Sequence, residues 1–295
     1  MVSAQREPAR ALRAGRVVVA GVFGRVPPPA LVLLGIVSVQ VGAALATRLF
    51  TVTGPAGAVA LRLFFAGAIL LAVCRPSLRL GLRAWVAVLG YGLVLATMNI
   101  CFYQAIARIP LGMAVTIEFL GPLTVSLLGS RRWTHAVWAA LAAAGVVLLT
   151  EGGGAVDWLG VVFAASAGAC WGGYIMMGAL LGRRTTGASG LAWGMAFAAM
   201  LAVPFGVADS GTAVLQPVAL VAGLGVALLS SVVPYSVELE ALRRIPPRVF
   251  GILMSMEPAV AALAGLVVLG ERLGTVQWIA ICCVVAASVG ATRST

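Results

Sequence analysis

The chain reads as an all-α integral membrane protein, with ten transmembrane helices arranged as two inverted five-helix repeats. Three observations predict this class: a composition too apolar for a water-facing surface, ten hydrophobic segments joined by short loops of alternating charge, and a pattern that recurs between the two halves. Of 295 residues, 61% are hydrophobic and 10% charged, whereas about a quarter of an average soluble domain is charged. The charges cluster, leaving apolar stretches near the ~20 residues that cross a ~30 Å hydrocarbon core as a helix. The 36 glycines suit helices packed closely in lipid, where small residues let backbones approach.

Composition also removes several activities. All 20 basic residues are arginine, so the chain lacks the lysine of a Walker-type phosphate loop and any lysine amine for a Schiff base. The net charge of +11 is distributed over short loops between apolar segments, which is a topology signal and not a nucleic-acid groove. Cys74, Cys101, Cys170, Cys282 and Cys283 show no CxxC spacing and lie in or beside apolar segments, as reduced packing residues do. His135 is the only histidine, so no metal site is expected, and no cofactor motif is present.

Residues 1–29 carry Arg6, Arg10, Arg13, Arg16 and Arg25 and end in Pro27-Pro28-Pro29. They read as a disordered, basic, cytoplasmic tail, because the apolar stretch Val17–Gly24 is short for a signal core and is followed by Arg25. Ten apolar segments follow, at approximately 30–50, 56–73, 84–104, 110–129, 134–150, 157–181, 188–207, 216–239, 246–269 and 274–292. Arg75/Arg79/Arg83, Arg131/Arg132, Arg183/Arg184 and Arg243/Arg244/Arg248 occupy every second loop, and the intervening loops hold Glu151/Asp157, Asp209 and Glu271/Arg272. Arginine-rich loops stay in the cytoplasm. Both termini are therefore expected inside, in a multi-pass protein of the bacterial cytoplasmic membrane, with sixteen of the 20 arginines on that side.

The repeat is visible as Ala105-Ile106-Ala107-Arg108-Ile109-Pro110 opening the fourth segment and Ala241-Leu242-Arg243-Arg244-Ile245-Pro246 opening the ninth. At the same offset Pro122 aligns with Pro258, and Leu128-Gly129 and Trp138 correspond to Leu269-Gly270 and Trp278 after a small insertion. The units are residues 30–151 and 157–292. Five crossings per unit force opposite orientations, and such inverted repeats place the substrate of secondary transporters at the bilayer midplane between them.

Glu118 and Glu257 lie near the middle of these two related segments. A carboxylate at membrane depth costs ~2.5–3.5 kcal/mol on insertion scales, and is tolerated facing the protein interior, a wet cavity or a partner. Pro122 cannot donate to the carbonyl of Glu118, nor Pro258 to that of Met254, nor Pro234 to that of Ser230. Such carbonyls need another partner or water, or the prolines mark ordinary packed kinks. Gln40, Asn99, Tyr103, Trp171, Tyr174, Tyr235 and Ser255 lie at comparable depth and serve either as substrate contacts or as bonds between helices. Arg62, about 9 Å from the outer end of its segment by helical rise, either snorkels outward or pairs with a glutamate. Glu238 and Glu240, beside Arg243 and Arg244, read as a solvated ion-pair cluster.

The runs Arg108-Ile109-Pro110-Leu111-Gly112-Met113-Ala114-Val115-Thr116-Ile117-Glu118-Phe119-Leu120-Gly121-Pro122-Leu123 and Gly251-Ile252-Leu253-Met254-Ser255-Met256-Glu257-Pro258-Ala259 resemble the RhtA-type threonine/homoserine exporters of the EamA branch of the drug/metabolite transporter superfamily. Ser38-Val39-Gln40-Val41-Gly42-Ala43, Met98-Asn99, Ser130-Arg131-Arg132, Gly168-Ala169-Cys170-Trp171 and Leu269-Gly270-Glu271 extend the likeness over all ten segments. The resemblance implies export of small amino acids driven by proton entry. Glu118 and Glu257 are then the candidates for proton coupling and for holding the substrate ammonium. Gln40, Asn99, Tyr103, Trp171, Tyr174, Tyr235 and Ser255 are candidates for the rest of the site. A drug or metabolite exporter with another substrate, or a passive channel, is the alternative. No nucleophile–base pair points to an enzyme.

Overall fold

The computed structural model describes residues 26–128, 133–151, 157–185, 189–242, 244–245 and 247–294. The basic tail up to residue 25 and the loop arginines Arg131, Arg132 and Arg243 lie outside the described residues. Among the described residues the structure is helical, with no strand.

Helix α1, Pro28–Cys74, has 47 residues and would be about 70 Å long if straight, more than twice a hydrocarbon core. It is broken at Gly54, which has φ 64° and precedes Pro55. A positive φ suits glycine, and proline disfavours the helical region for its predecessor. The two arms fold back side by side. Gly42 on the first arm packs on Ser230, and Arg62 on the second reaches the carbonyl of the same Ser230 at 3.1 Å. A straight helix would hold residues 42 and 62 about 30 Å apart.

The other helices are α2 (Leu82–Ile106), α3 (Leu111–Glu118), α4 (Leu120–Leu128), α5 (Trp133–Glu151), α6 (Trp158–Arg184), α7 (Ser189–Ser210), α8 (Pro217–Ala227), α9 (Val233–Leu242), α10 (Pro247–Met254), α11 (Glu257–Ala264) and α12 (Thr275–Ser294). Asp157 caps α6 by accepting from the amides of Leu159 and Gly160, satisfying two of the four orphan donors at a helix start. Wide π turns at Leu228–Val232 and Gly265–Leu269 link α8 to α9 and continue α11.

Polar side chains are held inside and large apolar ones face outward, unlike in a water-soluble protein. Gln40, Arg62, Asn99, Glu118 and Glu257 are buried, while Leu82, Val267, Val221 and Val218 face outward. The stretches Pro28–Cys74, Leu82–Ile106, Trp158–Arg184, Ser189–Leu215 and Val249–Leu269 are each long and apolar enough to cross a membrane. An apolar exterior, with the few polar groups held inside among apolar side chains, is what lipid selects.

Both glutamate-bearing segments are interrupted. The helix stops at Phe119 between α3 and α4, and at Ser255-Met256 between α10 and α11. Pro122 and Pro258 each stand three residues beyond the start of the break. On one side of the breaks α3 packs on α11, where a Cβ on Gly112 would lie 2.8 Å from the Cα of Ala262. On the other side α4 turns to α6, and α10 to α12 and α1.

Candidate functional site

Where these segments part, the bundle encloses a cavity of about 390 Å³, within the range of small-molecule sites. Glu118 closes α3 and Glu257 opens α11; both line the cavity, at 8% and 7% exposure. The two carboxylates thus sit on either side of corresponding helix breaks. Gln40 Nε2 donates to Glu257 Oε1 at 3.1 Å, which fixes one oxygen and leaves Glu257 Oε2 and Gln40 Oε1 buried without a hydrogen-bond partner. Such orphaned acceptors are uncommon in a finished interior and point to a ligand, ion or water.

The helix before Pro234 opens into the π turn, and side chains from α1 answer it. Ser38 Oγ donates to the carbonyl of Leu229 at 2.7 Å, and Arg62 Nη2 donates to that of Ser230 at 3.1 Å. The second is the carbonyl for which Pro234 has no N–H to offer. Arg62 therefore points inward and lines the cavity, with its guanidinium carbon 5.6 Å from the Tyr103 ring centroid.

The aromatic wall is built by packing pairs. Trp171 meets Phe119 edge-on at 5.7 Å, and Tyr174 meets Tyr91 at 5.0 Å, spacings that favour aromatic pairs. Close helix approach holds this wall in place. Gly121 lies on the Gly168 carbonyl, and a Cβ on Gly168 would come 2.6 Å from the Glu118 carbonyl.

A profile of the EamA-like transporter family matches residues 158–293. The threonine/homoserine exporter RhtA of Salmonella typhimurium (strain LT2) is 43% identical over 269 residues, covering 90% of this chain and 91% of that protein. Its counterpart of the same name in Escherichia coli K12 is 42% identical over the same coverage. The chain belongs to the RhtA-type branch of the EamA-like transporters. A crystal structure 20% identical in sequence superposes with a TM-score of 0.62 over 90% of this chain and 97% of that one, which extends the shared fold to both halves of this EamA-like transporter.

Six of the nine expected site residues line the cavity of this membrane transporter: Gln40, Asn99, Glu118, Trp171, Tyr174 and Glu257. Asn99 spends its amide on the Leu95 carbonyl of its own helix, at 2.8 Å. Tyr103 and Ser255 stand one layer back. Tyr103 is fully buried between Phe50 and Arg62, and Ser255 bonds Ser288 Oγ at 2.7 Å and the Gly251 carbonyl at 3.0 Å. Ser288 is the one that reaches the wall. The side chain of Tyr235 lies outside the described residues.

Two charges belong to the site that sequence reasoning had placed elsewhere or left open. Arg62 is one. Glu238 is the other: it lines the cavity, while Glu240 forms an ion pair with Arg244, and Glu240 is buried, not solvated. Two residues along a helix is a rotation of about 200°, so the spacing itself separates these faces.

Proposed function

We propose that the protein is a secondary active exporter of small amino acids resembling threonine or homoserine, working by alternating access in the bacterial cytoplasmic membrane. One observation carries the reading: two buried carboxylates flank corresponding helix breaks and share one central cavity. The relatives named as threonine/homoserine exporters support the substrate class. Counting the two arms of α1, and joining α3 to α4, α8 to α9 and α10 to α11, gives ten crossings with both termini in the cytoplasm. Residues 30–151 and 157–292 are then the two inverted repeats.

Glu118 or Glu257 takes either a proton or the substrate ammonium, never both. That exclusion makes exchange obligatory and couples export to proton entry. Helix breaks at Phe119 and Ser255-Met256 supply the hinges, since Pro122 and Pro258 withhold the N–H that would bond the Glu118 and Met254 carbonyls there.

The cavity wall also favours a second reading. Phe102, Phe119, Trp171, Phe250 and Met254 line it, which suits a bulkier, more apolar solute carried by the same fold. Proteoliposomes loaded with labelled threonine, homoserine, phenylalanine or an aromatic cationic dye, under a pH gradient of either sign, separate the two. Gradient-driven efflux of the small hydroxylated amino acids alone supports the first reading. Efflux of the dye alone supports the second. For the topology, cysteines introduced at Asp209 and Thr185 should label from outside and inside respectively. Labelling of both from one side overturns the ten-crossing arrangement.

A further inference from the structure

We propose that Arg62 is the receptor for the substrate's carboxylate, so that the cavity selects α-amino acids by a two-point charge match. This rests on the export reading above and names the group that reading leaves without a partner. Arg62 is 8% exposed and lines the cavity. Two of its nitrogens face fixed groups: Nη2 donates to the Ser230 carbonyl at 3.1 Å, and Nη1 lies 3.4 Å from Tyr103 Oη. The Tyr103 ring supports its plane. The third nitrogen, Nε, is buried and has no hydrogen-bond partner. Among the described residues no carboxylate lies within ion-pair distance of Arg62.

A guanidinium carries five N–H donors in a planar fork that matches a carboxylate. Here the fork is anchored on one side and vacant at Nε. Glu118 shares the cavity and acts on Arg62 through space without touching it; a buried cation with no contacting anion is costly and is kept where a ligand completes it. The same cavity holds the opposite need, since Glu257 Oε2, Gln40 Oε1 and Ser230 Oγ are buried without partners. An α-amino acid offers both halves, a carboxylate for Arg62 and an ammonium for the Glu257–Gln40 pair. An amine lacking the carboxylate would satisfy one half and leave the guanidinium orphaned. A group serving only to tether the π turn would need the Ser230 bond and nothing at Nε.

The test uses the full chain in proteoliposomes, with exchange of labelled threonine as readout. Unlabelled threonine, threonine amide and threoninol compete against it. The amide and the alcohol should compete about tenfold or more weakly, the scale of one charge-assisted hydrogen bond. Arg62→Gln should raise the KM for threonine by at least a similar factor and erase the preference for threonine over its amide, and Arg62→Lys should restore part of it. Equal competition by the amide on the wild-type protein overturns the assignment while leaving export intact, and needs no variant to fold. So does an Arg62→Gln protein whose exchange is slowed yet keeps its preference for the acid, because that marks a tether. Absence of any threonine exchange by the wild-type protein overturns the export reading, and this assignment with it.

Discussion

At one end of the bundle the two glutamate-bearing segments touch, and at the other they separate. Along α3 and α11 the backbones meet at Gly112 and Ala262. There the Leu111 amide donates to Glu271 Oε2 at 2.9 Å, and Arg48 Nη2 donates to the Val268 carbonyl at 2.6 Å. Past the breaks, Pro122 and Leu123 on α4 face Phe250, Gly251 and Met254 on α10 across the cavity. The sealed end thus rests on small-residue contact and a few polar caps, each worth on the order of 1 kcal/mol. Contacts of that size hold a closure without making it permanent. In the proposed topology the sealed end is the outer one.

The comparison breaks hardest at the close backbone approaches. Gly121→Val drives a branched side chain into the Gly168 carbonyl, backbone that cannot step aside. It should cost about 3 kcal/mol or more, seen as loss of folded protein in detergent. Gly225→Ala, inside α8 where a Cβ meets open space, should not lower thermal stability and should raise it slightly. Next in size is the loss of function expected from Glu118→Gln and Glu257→Gln. Both keep shape and hydrogen bonding, and the Gln40 contact to residue 257 survives as an amide pair. At least one, with Glu257→Gln the first choice because Pro258 follows the break, should lose gradient-driven export while passive exchange persists. If both variants, shown to be inserted, exported at the wild-type rate under a proton gradient, the carboxylate mechanism would fall.

The sealed end offers smaller tests. Glu271→Ala removes the acceptor for the Leu111 amide and should cost ~0.5–2 kcal/mol, as the loss of a helix N-cap does, lowering Tm by a few degrees. The smallest effect is electrostatic. Burial of Glu271 outweighs the Leu111 hydrogen bond and raises its pKa above the usual glutamate value. The protonated form is thus favoured by the fold. Its contribution is fully present below the unfolded value of about 4.3, and it is lost as pH rises through the raised folded value. Glu271→Gln keeps the acceptor without the charge. It should be slightly more stable than wild type at neutral pH, by a small margin because Glu271 is partly solvated and its charge is screened, with the gap closing on acidification. A stability gap that widens as pH falls would contradict the assignment.

Much of the site was legible because polar groups at membrane depth have few places to go. Glu118, Glu257, Gln40 and Asn99 had to face the interior, and all four reach the cavity. The spacing of Pro234 from Ser230 foretold a carbonyl in need of a donor, and the structure supplies Arg62. Tyr103 and Ser255 were grouped with the wall residues because depth says how far along the membrane a residue lies, not which interior surface it meets. Glu238 was missed because its neighbour Glu240 and the nearby arginines gave it a sufficient local explanation.

By itself the sequence determined the class of protein, the apolar segments and the two carboxylates, because insertion into lipid is decided residue by residue through the cost of desolvating charge. Only the tertiary structure decided that Arg62 turns inward, that Ser288 and not Ser255 reaches the wall, and that one end of the bundle is closed. Those outcomes depend on which helices meet and how closely, and glycine-mediated contact between segments far apart in the chain leaves no local pattern to read.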